Sequence, residues 1–251
     1  MFRLFAFVYG LSAYLAFLGV FLWFIAFVGD FAVPKTVNSG MVGSVPAALA
    51  TDLILILLFA LPHSVMARTG FKRWLTMTVP ASIERSTYMW IANATLALLI
   101  WQWQPIGAVL WQANGWGQTV LYCVFAFGWL LLLVSTFLTD HFHLFGLKQI
   151  TACLLNKEVA PRLFRNVLFY KLVRHPMMLG LLISLWSVPT MSLGSLVLAA
   201  GMSAYILIGI RFEERGLEEE LGASYRIYRQ STPMLLPRLK AKPADKRVAA
   251  N

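Results

Sequence analysis

Charge is scarce in this sequence. Of its 251 residues 13% are Asp, Glu, Lys or Arg and 59% are hydrophobic, where a soluble domain carries roughly a quarter charged residues. So few charges cannot clothe a water-facing surface, so most of the exterior must face lipid. A soluble enzyme, a nucleic-acid-binding domain and a disordered chain are all excluded on that ground. Cysteine is scarcer still. Cys123 in an apolar run and Cys153 in a mixed loop are too few and too far apart for a disulfide framework or a thiolate metal site. The glycine-rich strand-to-helix turn of nucleotide-binding folds is also missing, since the one G-x-G, Gly115-Trp-Gly117, sits in a Trp-rich loop. No internal repeat or low-complexity segment stands out.

What is present is a series of long apolar runs. No charge falls between Leu4 and Gly29, and about 20 apolar residues suffice to cross the roughly 30 Å hydrocarbon core. A secretory signal is a poorer reading of this run, which exceeds the roughly 7–15 apolar residues of such signals and lacks an obvious small-x-small cleavage site. A second span is expected from Val45 to Ala67, carrying Asp52 and His63, and a third from Ser86 to Trp103. The polar, turn-rich stretch from Gln102 to Gln118 then breaks the chain before a fourth span, Thr119 to Thr139. Pro176 to Ile210 is charge-free but too long for one crossing, so it is broken around Val188-Pro189-Thr190 into a tight helical hairpin with a short first arm. The expected fold is all-α, a polytopic bundle of five to six transmembrane helices in one domain over residues 1–239. The polar tail 240–251 is expected to be disordered.

The net charge of +10 follows from topology. With six spans and both termini inside, 20 of the 21 Lys and Arg residues fall on the inner side, leaving only Lys35 outside. Anionic lipid is a sufficient partner for the basic loops. The expected location is a bacterial inner membrane, with the loop from about Asp140 to Arg174 and the tail from Arg211 in the cytoplasm.

By this topology all four histidines, His63, His141, His143 and His175, collect at the cytoplasmic ends of spans. An ionisable group at the membrane edge is costly to bury and marks a functional site by default, although histidines also settle at interfaces as polar-tipped anchors. His141 and His143 fall on different faces of a helix, which argues against a metal site. Asp140 sits at the mouth of the fourth span, and Glu84-Arg85-Ser86-Thr87-Tyr88 opens the third, where an ordinary helix start is an equal reading. Asp52 lies in the outer half of its span, with a structural or snorkelling role expected.

The richest stretch joins Tyr170, Arg174-His175-Pro176 and Gly180 to a later Glu213-Glu214-x-x-Leu217, Gly222, Tyr225-x-x-Tyr228 and Pro237. R-H-P-x-x-x-G, a short apolar hairpin, then E-E-x-x-L and G-x-x-Y-x-x-Y resembles the isoprenylcysteine carboxyl methyltransferase and NnrU-like membrane methyltransferases. Further blocks, L-P-H-S-V-M-A-R from Leu61, I-E-R-S-T-Y from Ile83, W-Q-W-Q-P from Trp101, H-F-x-L-F-G-L-K-Q from His141 and P-M-L-L-P-R from Pro233, are similar to the bacterial methanethiol S-methyltransferases. One departure is Met177-Met178, where the wider family often has an aromatic at the second position.

The resemblance implies S-adenosylmethionine as methyl donor, methanethiol as acceptor and dimethyl sulfide as product, with the donor held by about residues 140–238. The residue types suit that donor. Arg174 offers a forked cation to its carboxylate, Glu213 or Glu214 can accept from its ribose or ammonium, and His175 can hydrogen-bond to it. Pro176 fixes the start of the hairpin, Gly180 permits close backbone approach, and Tyr170, Tyr225 and Tyr228 are candidate adenine or ribose contacts. Taken singly, these residues also read as a basic anchor, a solvated helix face and an interfacial tyrosine belt. A cysteine thiol titrates near about 8.5 and a simple alkyl thiol higher, so a base helps at neutral pH. His63 and His141 lead Asp140 and Tyr88 as candidates. Other readings are methylation of another small thiol or of a lipidated cysteine carboxylate, and a non-catalytic NnrU-like membrane protein. A transporter is disfavoured by the lack of repeat symmetry.

Overall fold

A computed structural model describes residues 1–159 and 166–237. The expected disordered tail, 240–251, lies outside the described residues. The charge-free first run forms α1 (Phe2–Gly29), which stops where Asp30 turns left-handed. Pro46 enters α2 (Val45–Met66) at its start, where its missing N–H costs nothing. Pro62 lies inside the same helix, removing one amide from the ladder just before His63. A short α3 (Thr69–Leu75) precedes α4 (Ala81–Gln102), which begins directly after Pro80, a turn earlier than the sequence suggested. Past a loop and strand β1 (Val109–Gln112), α5 runs from Trp116 to Thr139 between Gly115 and Asp140, both with positive φ.

Three short helices follow at the basic end of the bundle: α6 (His141–Leu144), α7 (Leu147–Leu155) and α8 (Phe169–Leu172). The hairpin is α9 (Pro176–Trp186), strand β2 (Thr190–Ser192) and α10 (Leu193–Leu221), after which α11 (Ala223–Ser231) turns back along the same end. The break at residues 188–190 falls where the sequence placed it. Among the described residues α1, α2, α5 and most of α10 are long and apolar enough to cross a membrane. Helix α4 has the length and packs against α1 and α2, while α9, with 11 residues, is a short arm against α5. The chain is a polytopic helical membrane protein. Its outward faces carry Leu15, Leu22, Leu53, Leu57, Leu130 and Leu133, while Phe27, Leu99, Ile100, Trp103, Leu198 and Ile210 close the interior.

Two contacts set the position of the site. Helices α5 and α9 approach backbone to backbone, because a Cβ on Gly180 would stand 2.5 Å from the Gly128 carbonyl oxygen and 2.7 Å from the Leu132 nitrogen. Small residues at such crossings replace the hydrophobic drive that lipid cannot supply. The Ser184 hydroxyl reinforces the contact by donating to the Phe125 carbonyl at 3.0 Å. Gly180 therefore serves the helix crossing, and the close approach it allows is to α5. At the end opposite the basic loops, β1 and β2 pair antiparallel, a hairpin brace that the sequence did not suggest. Asp52 is fully buried there, so it does not snorkel. Its carboxylate accepts from the Gln104 amide at 2.9 Å while the Lys35 ammonium donates to the Trp103 carbonyl at 2.7 Å, so the two charges grip opposite ends of one peptide unit.

Candidate active site

Helix α10 is 29 residues long, about 43 Å at 1.5 Å per residue, so its last turns project past the hydrocarbon core. That overhang presents Glu213 and Glu214 to His175 at the mouth of α9. Glu214 is the hub. Its Oε1 accepts from Arg174 Nε at 2.7 Å and from His175 Nε2 at 3.0 Å, and its Oε2 lies 3.3 Å from Arg229 Nε. Glu213 stands 3.6 Å from the other imidazole nitrogen, and Arg229 also reaches Glu218 at 3.1 Å.

The chain after α11 folds back to close this cluster. Arg174 Nη1 donates to the carbonyls of Arg229 at 3.0 Å and Thr232 at 2.6 Å, and the amides of Arg174 and His175 donate to the carbonyls of Pro233 and Met234. Tyr228 donates to the Tyr170 carbonyl at 2.6 Å, tying α11 to α8, while the Tyr170 hydroxyl donates to the Ser135 carbonyl on α5 at 3.4 Å. Tyr225 is buried beside Tyr228 with ring centroids 6.0 Å apart. Burial would push the His175 imidazole down, but Glu213 and then Glu214 more than offset it and hold the ring above its ordinary value. Burial pushes the Tyr228 phenol up to about 12, so it stays a neutral donor.

The nine residues that the sequence nominated for the donor thus fall into two groups. Tyr170, Arg174, His175, Glu213, Glu214, Tyr225 and Tyr228 come together, whereas Pro176 starts α9 and Gly180 faces α5. Arg174 is the internal counter-ion, with its side chain only 10% exposed, while Arg229 (46%) and Glu213 (48%) stand at the rim. Sequence reasoning did not single out Arg229. Its place one residue past Tyr228, on the turn that packs against Glu214, was the available signal.

The four residues nominated for the thiol separate as well. His141 is buried and both ring nitrogens are engaged, Nε2 with Tyr14 at 2.8 Å and Nδ1 with Thr136 at 2.8 Å, while its ring stacks on Phe137 at 4.2 Å. It pins α1 to α5. Asp140 caps α6 by accepting from the His143 amide and pairs with Lys148. Slight burial raises its pKa, but Lys148 and the His143 amide prevail and hold the carboxyl below the usual range. Neither residue has the geometry of a base awaiting a substrate.

His63 and Tyr88 form the remaining pair. Tyr88 oxygen lies 3.0 Å from His63 Nε2 and 3.4 Å from the His63 carbonyl oxygen. Both contacts are satisfied at once when Nε2–H donates to Tyr88 and the Tyr88 O–H donates to the carbonyl. This tautomer, assigned from the network, leaves the lone pair on Nδ1. Nδ1 is buried and has no hydrogen-bond partner among the described residues. Phe59 from α2 and Tyr205 from α10 flank the ring at centroid distances of 5.1 and 6.2 Å. Tyr205 was also missed, although it is a polar-tipped aromatic eight residues before Glu213 on the same helix.

Known proteins bear on this arrangement. The family model for NnrU protein matches residues 53–237, which include His63, Tyr88 and the whole Glu214 cluster. Methanethiol S-methyltransferase 2 of Bradyrhizobium diazoefficiens is 43% identical over 240 residues, covering 96% of this chain and 93% of that protein. Methanethiol S-methyltransferase of Mycobacterium tuberculosis is 45% identical over 231 residues, covering 92% and 95%. Mouse nurim is 31% identical over 183 residues, covering 69% and 70%. No solved structure matches. With the family model spanning both site clusters and near full-length relatives at this identity, the chain belongs to the NnrU family.

Proposed function

We propose that this protein methylates methanethiol to dimethyl sulfide with S-adenosylmethionine as donor, at the basic end of the bundle, which faces the cytoplasm. The observation that carries the reading is a buried, unpartnered imidazole nitrogen on α2 at the same end of the bundle as the charged rim on α10 and α11, in a chain similar along nearly its whole length to methanethiol S-methyltransferases. The charge count supports the orientation, since basic residues crowd the end that holds both clusters.

The Glu214 cluster fits a zwitterionic donor. Half-exposed groups of both signs, Arg229 and Glu213, stand beside buried partners that fix them. Arg229 would take the carboxylate, Glu213 the ammonium or ribose, and Tyr225 and Tyr228 the flat base. Arg174 and His175 hold Glu214, and through it the rim. Bound S-adenosylmethionine supplies an electrophilic methyl group on a sulfonium. This chain's own task is to take the proton from the thiol and to align the resulting sulfur. His63 Nδ1 receives that proton. Tyr88 keeps the ring in the accepting tautomer and then faces the imidazolium with its phenol oxygen. Aromatic walls exclude water, so the thiolate stays unhydrated and reactive.

His63→Ala tests the assignment. Expected is a loss of about 100-fold or more in the rate of dimethyl sulfide formation, with donor affinity by calorimetry unchanged. Undiminished turnover at neutral pH would remove His63 from the reaction.

A further inference from the structure

We infer that Tyr205, with Phe59 beside it, is the wall that limits the alkyl group of the thiol to about the size of a methyl. The inference rests on the reading that His63 Nδ1 accepts the thiol proton. The imidazole is bracketed on several sides: Phe59 at 5.1 Å and 31°, Tyr88 at 5.2 Å and 44°, and Tyr205 at 6.2 Å and 78°. Phe59 and Tyr205 also touch each other edge-on, at 6.1 Å and 71°. Tyr88 occupies Nε2, so a sulfur hydrogen-bonded to the ring must use Nδ1, on an imidazole whose centroid lies 5.1 Å from that of Phe59 and 6.2 Å from that of Tyr205. Its alkyl group then has to fit among aromatic surfaces contributed by three helices.

Tyr205 is the adjustable member of that wall. Phe59 belongs to the buried core, while Tyr205 is only partly buried at its edge, so shortening Tyr205 opens space without emptying the core. Ser64 lies beside the Tyr205 side chain. Tyr205 and Glu213 are eight residues apart on α10, a rise of about 12 Å. One rigid helix therefore sets both the thiol wall and the donor rim, as transfer between two bound molecules requires.

The test is a competition. Protein in nanodiscs, with S-adenosylmethionine, is given methanethiol, ethanethiol and 1-butanethiol, and kcat/KM for each is read from the methyl sulfides in the headspace. Tyr205→Ala is expected to raise the butanethiol-to-methanethiol ratio about tenfold or more, because each excluded methylene is worth about tenfold or more in such a pocket. Tyr205→Phe keeps the wild-type ratio. Melting temperature and donor affinity report whether the variants fold, and Tyr205→Leu replaces the alanine variant if that one does not. A ratio within twofold of wild type in a folded, donor-binding Tyr205→Ala or Tyr205→Leu protein overturns the inference while leaving methyl transfer intact. A wild-type protein that methylates none of the three thiols overturns the underlying reading, and this inference with it.

Discussion

Replacing Glu214 separates a buried ionic hub from an ordinary surface pair. Its side chain is 7% exposed, and it receives Arg174, 10% exposed, and His175, 5% exposed, on one oxygen, with Arg229, 46% exposed, on the other. Removing one partner of a buried pair costs about 3–5 kcal/mol, because the remaining charge is left without compensation. Glu214→Gln keeps one acceptor oxygen but turns an amide N–H2 toward a guanidinium, so about 3 kcal/mol is expected, and Glu214→Leu lies near the upper end of that range. Arg229→Ala breaks contacts made half in solvent, where about 0–1 kcal/mol is usual. For a chain of this size 3 kcal/mol corresponds to roughly 6–12 °C in melting temperature. Thermal unfolding in nanodiscs, followed by tryptophan fluorescence, reads the difference. Equal melting temperatures for Glu214→Leu and Arg229→Ala would refute the hub, as would a coupling near zero in an Arg174→Ala, Glu214→Ala double-mutant cycle.

Other outcomes follow from the same geometry. The pKa of His175 is raised in the folded state above its ordinary 6.5. The stability it contributes is therefore complete below about 6.5 and is lost as pH rises through the raised value. Melting temperature measured against pH should fall across that window in wild type, and His175→Asn should remove the slope. In Gly128→Ala the new methyl would meet the Gly180 carbonyl oxygen at 2.6 Å and the Ser184 nitrogen at 2.8 Å. Backbone cannot yield as a side chain does, so a loss of about 1–3 kcal/mol is expected by the same unfolding assay, with weaker donor binding because α9 begins directly after His175.

Much of the fold was legible because the membrane imposes a simple rule: uncharged runs long enough to cross become helices, and polar or proline-bearing breaks become turns. The end of α1 at Asp30, the start of α9 at Pro176 and the break at residues 188–190 were visible in that way. Strand pairing between β1 and β2 was not, because Val109–Gln112 and Thr190–Ser192 are too short for any periodicity to show. The site was legible where its residues are close in sequence, as with Arg174-His175-Pro176 and Glu213-Glu214. Roles that depend on spatial partners were hidden. Nothing in the sequence near His141 indicates that Tyr14, more than a hundred residues earlier, fills its ring nitrogen, or that Tyr88 takes only one nitrogen of His63. Gly180 looked available for a ligand because its partner, Gly128, lies on another helix.

The most direct measurement is headspace gas chromatography with mass detection on the purified protein in nanodiscs, supplied with methanethiol and S-adenosylmethionine labelled with deuterium on the transferable methyl. Dimethyl sulfide carrying one intact labelled methyl, formed in proportion to enzyme and lost in the His63→Ala protein, is the expected result. Protein that is folded and binds the donor yet releases no labelled dimethyl sulfide would contradict the account.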